Sequence, residues 1–159
     1  MVCSYGTLVP EGGIAAWRGQ WEVDGSTFRD GTLRDGGAMA RTTRESAPVE
    51  IEGGGLEVRV EEIGGDLSVG FFRLPEGTDM TEAVRGLPGD MCQCPHWGYL
   101  LKGRLRMRTA DGDEEYEAGD AFYWGPGHIP VALADTEYVD FSPTAEFRKV
   151  IDHVKGLPG

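Results

Sequence analysis

The sequence predicts an all-β domain, an antiparallel barrel or double-sheet jelly roll that ends in a single helix. Three observations support this fold class. Short segments of β-type alternation begin near residue 49, closely spaced turns separate them, and a helical period of apolar residues appears only at the end of the chain. A chain of 159 residues, of which 40% are hydrophobic, is sufficient for one packed domain.

The predicted strands can be placed along the chain. Leu56, Val58 and Val60 alternate with charged residues, as in a strand with one buried face. Asp111-Gly112 is typical of a tight hairpin turn. The predicted strands are 56–63, 66–75, 91–101, a hairpin that begins at residue 104, 121–124 and 136–143, with a loop over 78–90.

The chain is predicted to end in a helix over about residues 143–154. Ser142 is a suitable N-cap, and Pro143 fits the first turn. The apolar residues that follow share one helical face, which is expected to pack against the barrel. They are Phe147, Val150, Ile151 and Val154.

Residues 1–38 differ from the rest of the chain. They hold many glycines, and their few apolar residues follow no sustained period. We expect a flexible N-terminal extension, because such a segment buries too little apolar surface to order itself. The alternative is a partly ordered extension in which Trp17 and Trp21 belong to an N-terminal strand or hairpin. Residues 39–159 form the predicted domain.

Charge and hydropathy limit the expected partners and location. The chain carries 27 Asp and Glu against 15 Lys and Arg, a net charge of −12. Such a surface repels polyanions, so neither nucleic acid nor an anionic membrane is expected as a partner. The sequence contains no apolar run of about 20 residues and no signal-peptide pattern, which predicts a cytoplasmic protein with reduced thiols.

The stretch 91–103, MCQCPHWGYLLKG, places Cys92, Cys94 and His96 on alternate residues. On a straight strand the outer two would lie about 13 Å apart. A single ion therefore requires a bend, for which Pro95 is the candidate; without one, Cys94 and His96 are the natural pair. Thiolate and imidazole ligands favour a divalent transition metal, Zn, Fe or Cu. The alternative is that both cysteines are small buried core residues.

The region 91–130 resembles the cupin family. The residues that carry the resemblance are an apolar strand ending in Lys102-Gly103, the Asp111-Gly112 hairpin, Gly119-Asp120, an aromatic strand and Gly125-Pro126-Gly127. The resemblance implies a cupin barrel. It does not imply one activity, because cupins include several enzyme classes, storage proteins and ligand sensors.

The family's metal ligands are only partly matched. Counting back from Gly103 places His96 where cupins keep a glutamate, and a three-residue spacer places Cys92 and Asp90 at the two histidine positions. The second-motif histidine would fall at Pro130, but His128 lies two residues earlier, on the same side of an extended backbone. The resemblance therefore implies an atypical metal site formed by Cys92, His96 and His128, with Cys94 as a fourth ligand or a close neighbour.

These features lead to a functional hypothesis. We expect a small metal-dependent enzyme, oxygenase-like or isomerase-like, that acts on a small organic molecule inside the barrel. The alternative is a non-catalytic module that senses or binds a small ligand or a soft metal. Aromatic residues such as Trp97 and Tyr99 on the face opposite His96 would suggest a homodimer contact. The expected ligand-pocket residues are Phe72, Leu100, Tyr123 and Trp124.

Overall fold

The structure is a computed structural model, and it describes residues 40–157. The extension predicted over residues 1–38 lies outside the described residues. The described part contains nine strands, two α-helices and one 3₁₀ turn. In chain order they are β1 (Val49–Gly53), β2 (Leu56–Gly64), β3 (Leu67–Leu74), α1 (Thr81–Val84), the 3₁₀ turn Pro88–Asp90, β4 (His96–Lys102), β5 (Arg104–Thr109), β6 (Gly112–Glu117), β7 (Ala121–Trp124), β8 (His128–Ala132), β9 (Thr136–Pro143) and α2 (Thr144–Lys155).

The strands form two antiparallel sheets. One has six strands in the order β1-β2-β3-β9-β4-β7, and the other has three in the order β6-β5-β8. Strand β9 lies between β3 and β4, so the end of the chain joins strands from its earlier parts. This is the sheet arrangement of a jelly roll, in which non-consecutive strands pair across the barrel. The predicted all-β fold with one long C-terminal helix is confirmed.

The prediction of one continuous strand over 91–101 is wrong in its first half. Strand β4 begins at His96, and residues 91–95 are irregular, with Cys92 forming only an isolated bridge to His128. Pro95 has no backbone N–H to donate to a ladder, so regular pairing can start only after it. The predicted loop over 78–90 contains α1 and the 3₁₀ turn.

The C-terminal helix is present, but its predicted cap is wrong. Helix α2 spans Thr144–Lys155 with Pro143 at the N-cap position and no side-chain cap bond. Ser142 still belongs to β9, where strand alternation turns its side chain into the barrel, and it is fully buried. Phe147 and Ile151 of the predicted helical face are buried, as expected.

The core lies between the sheets and under α2. One buried cluster contains Cys92, Cys94 and Phe147, and a second contains Leu100 and Trp124. Partly buried Leu56 and Phe72 pack against both clusters and connect them. Among residues 40–157, none of the helices is long and apolar enough to cross a membrane.

Candidate metal centre

The irregular segment before β4 brings Cys92 back towards the barrel. The backbone N–H of Cys92 donates to the carbonyl of His128 at 2.9 Å, and the Gly127 N–H donates to the carbonyl of Cys92 at 2.7 Å. These bonds attach Cys92 to the start of β8, while His96 opens β4. One potential ligand atom from each of Cys92, His96 and His128 lies within 4.8 Å of the other two.

The spacing of this group fits a mononuclear metal. The Sγ atom of Cys92 lies 3.5 Å from Nε2 of His96. Zn–S and Zn–N bonds of about 2.3 and 2.0–2.1 Å at a tetrahedral angle separate the two ligand atoms by about 3.6 Å. All three side chains are buried, between 3% and 6% exposed. The donor set is therefore compact, shielded from bulk water and of the type that binds Zn, Fe or Cu.

His96 is oriented from behind by two residues of β9. Its Nδ1 atom lies 3.0 Å from Oδ2 of Asp140 and 2.7 Å from the hydroxyl of Ser142. A carboxylate can only accept a hydrogen bond, so Nδ1 must carry a proton. In the neutral ring Nε2 then keeps its lone pair on the side of Cys92. Metal-ligating histidines are typically held by a carboxylate in this way.

His128 is oriented by the glycine-rich turn between β7 and β8. Its Nδ1–H donates to the backbone carbonyl of Gly125 at 2.5 Å. This bond fixes the neutral tautomer in which Nε2 is the free acceptor. In the neutral form of each ring, Nε2 is therefore the nitrogen that can bind a metal. Nδ1 of His96 is held by the Asp140 carboxylate, and Nδ1 of His128 is held by the Gly125 carbonyl.

Without a metal, the group holds a charged pair. Burial alone would raise the pKa of the Cys92 thiol, but its contacts with the His128 and His96 rings outweigh burial and lower the pKa to about 6. Burial likewise opposes protonation of His96, but Asp140 and Cys92 outweigh it and raise its pKa to about 10. The site is therefore organised around a thiolate, the form of cysteine that binds metals.

The structure does not bring Cys94 into this group. Its side chain is 1% exposed, and its Sγ lies 3.5 Å from the carbonyl oxygen of Pro95. Burial raises the pKa of this thiol to about 12, and the charges of Cys92 and Asp140 act in the same direction. The irregular backbone over 91–95 breaks strict alternation, so the two cysteines share a buried cluster but only Cys92 reaches the two imidazoles.

A small cavity of about 70 Å³ lies next to the donor group. Phe72 and Trp124, two of the four expected pocket residues, line it. Leu100 lies instead in the second core cluster, at 0% exposure, and Tyr123 points outwards at 56% exposure. The alternation of side chains along β7 explains why Tyr123 points outwards, because Phe122 and Trp124 occupy the two inward positions.

The sequence did not reveal the role of two polar residues beside His96, and one expected ligand position lies elsewhere. Asp140 and Ser142 are buried at inward positions of β9, and the only signal was their even spacing from the inward-facing Tyr138. Asp90, which the cupin spacing places at a ligand position, is exposed, and its carboxylate accepts a bond from the Gly86 N–H. Pro130 lines the cavity, as the spacing suggests.

No protein-family model and no curated protein matches the sequence. Solved structures do match. A protein of unknown function from Rhizobium leguminosarum is 19% identical, with a TM-score of 0.50 and coverage of 66% of this chain and 95% of that chain. An RmlC-like cupin from Shewanella frigidimarina is 18% identical, with a TM-score of 0.47 and coverage of 64% and 88%. The polyketide cyclase RemF from Streptomyces resistomycificus is 18% identical, with a TM-score of 0.49 and coverage of 67% and 80%.

At these identities the likeness concerns the fold and not the activity. The chain has an antiparallel jelly-roll fold with a C-terminal helix, as its motif region predicts, and it is similar to solved cupin structures.

Proposed function

We propose that this protein is a metal-dependent enzyme that acts on a small organic molecule, oxygenase-like or isomerase-like, at a Cys92–His96–His128 centre. The observation that carries the proposal is the convergence of one thiolate and two imidazoles within 4.8 Å, beside a cavity. A bound Zn, Fe or Cu ion would supply Lewis-acid or redox chemistry.

The number of protein ligands favours catalysis over a purely structural role. Structural zinc sites are closed by four protein ligands, whereas catalytic sites use three and keep one position open. Among the described residues, Cys92, His96 and His128 form the group, and Cys94 lies apart from it. All three residues of the group also line the cavity, so a molecule there would reach an open position.

The surrounding residues have defined roles in this proposal. Asp140 orients His96 and stabilises its positive charge, and the Gly125 carbonyl orients His128. Phe147 and Ile151 of α2 cover the cavity with apolar surface and keep bulk water from the thiolate. Exclusion of water strengthens the electrostatic interactions of the site.

The test measures metal content after anaerobic reconstitution with Zn, Fe or Cu and removal of unbound ions. We expect about one ion per chain for the wild type, since compact thiolate–imidazole sites bind tightly. Cys92→Ser should lose the ion, whereas the matched variant Cys94→Ser should keep it. A wild-type content below about 0.2 per chain would refute the proposed centre. If the metal-loaded protein binds no added small ligand at its metal, the result favours the alternative, a non-catalytic binding module.

We also propose a homodimer formed through the outer face of the six-stranded sheet. Trp97, Leu101 and Tyr123 are 47%, 55% and 56% exposed on this face, and the rings of Trp97 and Tyr123 lie 5.2 Å apart. Tyr99 and Phe141 extend the apolar area across neighbouring strands. A contiguous aromatic patch of this kind is typical of a protein interface, and a two-fold contact would pair it with itself.

Light scattering coupled to size-exclusion chromatography tests this interface. We expect the wild type to have the mass of a dimer and Trp97→Glu to shift it to a monomer with unchanged β content. Val49→Glu is the matched control, because Val49 is 40% exposed on β1, at the opposite edge of the sheet. A monomeric wild type at about 100 μM would contradict the homodimer, because such a dimer would be weaker than a specific interface.

A further inference from the structure

Trp124 lies between two pockets of different size. The inner pocket is the cavity of about 70 Å³ beside Cys92 and His96. The outer pocket, of about 340 Å³, lies between the β5–β6 hairpin and the turn that joins β7 to β8. Trp124 and His128 are the only described residues that line both pockets. Their side chains therefore form the wall that separates the two spaces.

The contacts of the Trp124 ring hold it in this wall. The ring is stacked on that of Phe122, with centroids 3.5 Å apart, and it meets the rings of Tyr138 and Tyr116 edge to face at centroid distances of 5.3 and 5.7 Å. Its side chain belongs to the second core cluster and is 4% exposed. A ring packed against three others in a dense core cannot turn aside without displacing them, so the wall is a fixed part of the fold.

The inner cavity is small and mainly apolar. Its volume corresponds to roughly five water-sized groups. Apart from the donor group and Asp140, most of its lining residues are apolar or aromatic, including Met80, Val84 and Ile151. Such walls favour a compact, uncharged molecule. The outer pocket has the volume of an ordinary small-molecule site, so it is the wall that limits the size of a molecule next to Cys92.

We propose that Trp124 is a size-determining residue of the centre, and that it limits the inner cavity to a compact, uncharged molecule of roughly five non-hydrogen atoms. Replacement of the indole by a methyl group joins the inner cavity to the outer pocket and removes this limit. The statement that the admitted molecule is the substrate rests on the proposed function. The size limit itself depends on the side chains of the wall and needs no ion.

Two haloacetamides of different size test the limit on the full-length protein, kept free of metal by a chelator. Iodoacetamide transfers a carbamidomethyl group to Sγ of Cys92 with loss of iodide, and N-phenyliodoacetamide transfers the same group with a phenyl ring attached. The first group has about four non-hydrogen atoms and fits the inner cavity, whereas the second has about ten and does not.

Peptide mass spectrometry measures the rate of modification of Cys92 by each reagent. Division by the rate with glutathione removes the intrinsic difference between the two reagents. Both reagents react with the thiolate, so the ratio of their corrected rates does not depend on how far the thiol is ionised. The ratio therefore reports the space next to Cys92.

We expect wild-type Cys92 to react at least about tenfold faster with iodoacetamide than with the phenyl reagent after this correction. Trp124→Ala should bring the two corrected rates within about threefold, and Trp124→Phe, which keeps a smaller ring in the wall, should lie between these values. Leu100→Ala is the matched control. Leu100 belongs to the same buried cluster as Trp124 but lines neither pocket, so this variant should keep the wild-type preference.

Corrected wild-type rates within about threefold of each other, or no reaction of Cys92 with either reagent, overturn the proposal. A Trp124→Ala protein that keeps the wild-type preference also overturns it, as does a Leu100→Ala protein that loses the preference, since general loosening of the core would then explain the change. The wild-type comparison stands even where Trp124→Ala does not fold. Metal content is measured separately, so a missing ion refutes the proposed function, whereas these rates decide the size limit.

Discussion

The Sγ atom of Cys92 lies 3.5 Å from Nε2 of His96, although the two residues are four apart in a segment that alternates like a strand. A straight strand would separate them by about 13 Å. The contact exists because β4 starts only at His96 and because Cys92 pairs with His128 at the start of β8 instead of with β7 or β9, the neighbours of β4. The irregular segment that ends at Pro95 therefore brings the side chains of Cys92 and His96 into contact.

The two cysteines of this segment should differ in reactivity. Cys92 lines the cavity and has a pKa lowered to about 6 despite burial, whereas burial raises that of Cys94 to about 12. A small neutral alkylating reagent at pH 7.5 should modify Cys92 of the metal-free protein at least about tenfold faster, because only the thiolate reacts. Peptide mass spectrometry measures both rates. Saturation with Zn should protect Cys92, and faster modification of Cys94 would contradict this assignment.

Asp140→Asn should weaken metal binding by about 10–100-fold. The carboxylate orients His96 and stabilises its charge, and loss of such a partner typically has an effect of this size. Competition with a chromogenic chelator measures the dissociation constant. Asp152→Asn is the matched control, since Asp152 is exposed on α2, and it should leave the constant unchanged. Equal affinities of the two variants would show that Asp140 does not support the centre.

Metal binding should strengthen as pH rises. Asp140 and Cys92 outweigh burial and raise the pKa of His96 to about 10, so this ring is protonated at pH 7–9 in the metal-free protein, whereas the Cys92 thiol, at about 6, is already ionised. An ion must therefore displace one proton from His96, and its apparent affinity should rise about tenfold per pH unit over this range. Below pH 6 the thiol also becomes protonated, and the dependence should steepen.

Calorimetry at pH 8 in two buffers of different ionisation heat measures this proton. The difference between the two binding enthalpies should correspond to about one proton released per ion. His153→Asn is the control, since His153 lies on α2 and its Nε2 contacts the backbone carbonyl of Arg85, away from the centre. Binding with no proton release would exclude a protonated His96 in the metal-free site.

Gly98→Ala should destabilise the fold by about 1–3 kcal/mol. A Cβ atom at this inward position of β4 would collide with the carbonyl of Val139 and the ring of Phe122. Gly53→Ala is the control, because nothing lies within 4 Å of its added Cβ. Urea unfolding followed by circular dichroism gives both free energies of unfolding. If Gly98→Ala changes the free energy of unfolding by less than about 0.5 kcal/mol, β4 and β9 can move apart to accept the methyl group without loss of stability.

Much of the fold could be predicted from local sequence. The alternation of Leu56, Val58 and Val60 and the pattern of 136–143 give strands β2 and β9, because side-chain direction in a strand depends only on the residue and its neighbours. The Asp111-Gly112 hairpin is present for the same reason. The C-terminal helix also follows from a local period, although its cap does not.

The site could be predicted only in part. The cupin spacing from Gly103 selects His96, and it suggests His128 through its distance from position 130. The three-residue spacer also selects Cys92, but the geometry of a straight strand favours Cys94 as the partner of His96, so the choice of thiolate stayed open. Asp140 had no local signal as a partner of His96, because the two residues are 44 positions apart in the sequence.

Local sequence was sufficient to predict most of the strands, the inward and outward faces of strands such as β2, and the residue types that can bind a soft metal. Which of those residues meet depends on the packing of distant strands. The insertion of β9 between β3 and β4 puts Asp140 behind His96, and the bridge between Cys92 and His128 draws the thiol of Cys92, and not that of Cys94, to the two imidazoles. Periodicity is a property of neighbouring residues, whereas a three-ligand site depends on long-range strand order and on one irregular segment whose backbone no period describes.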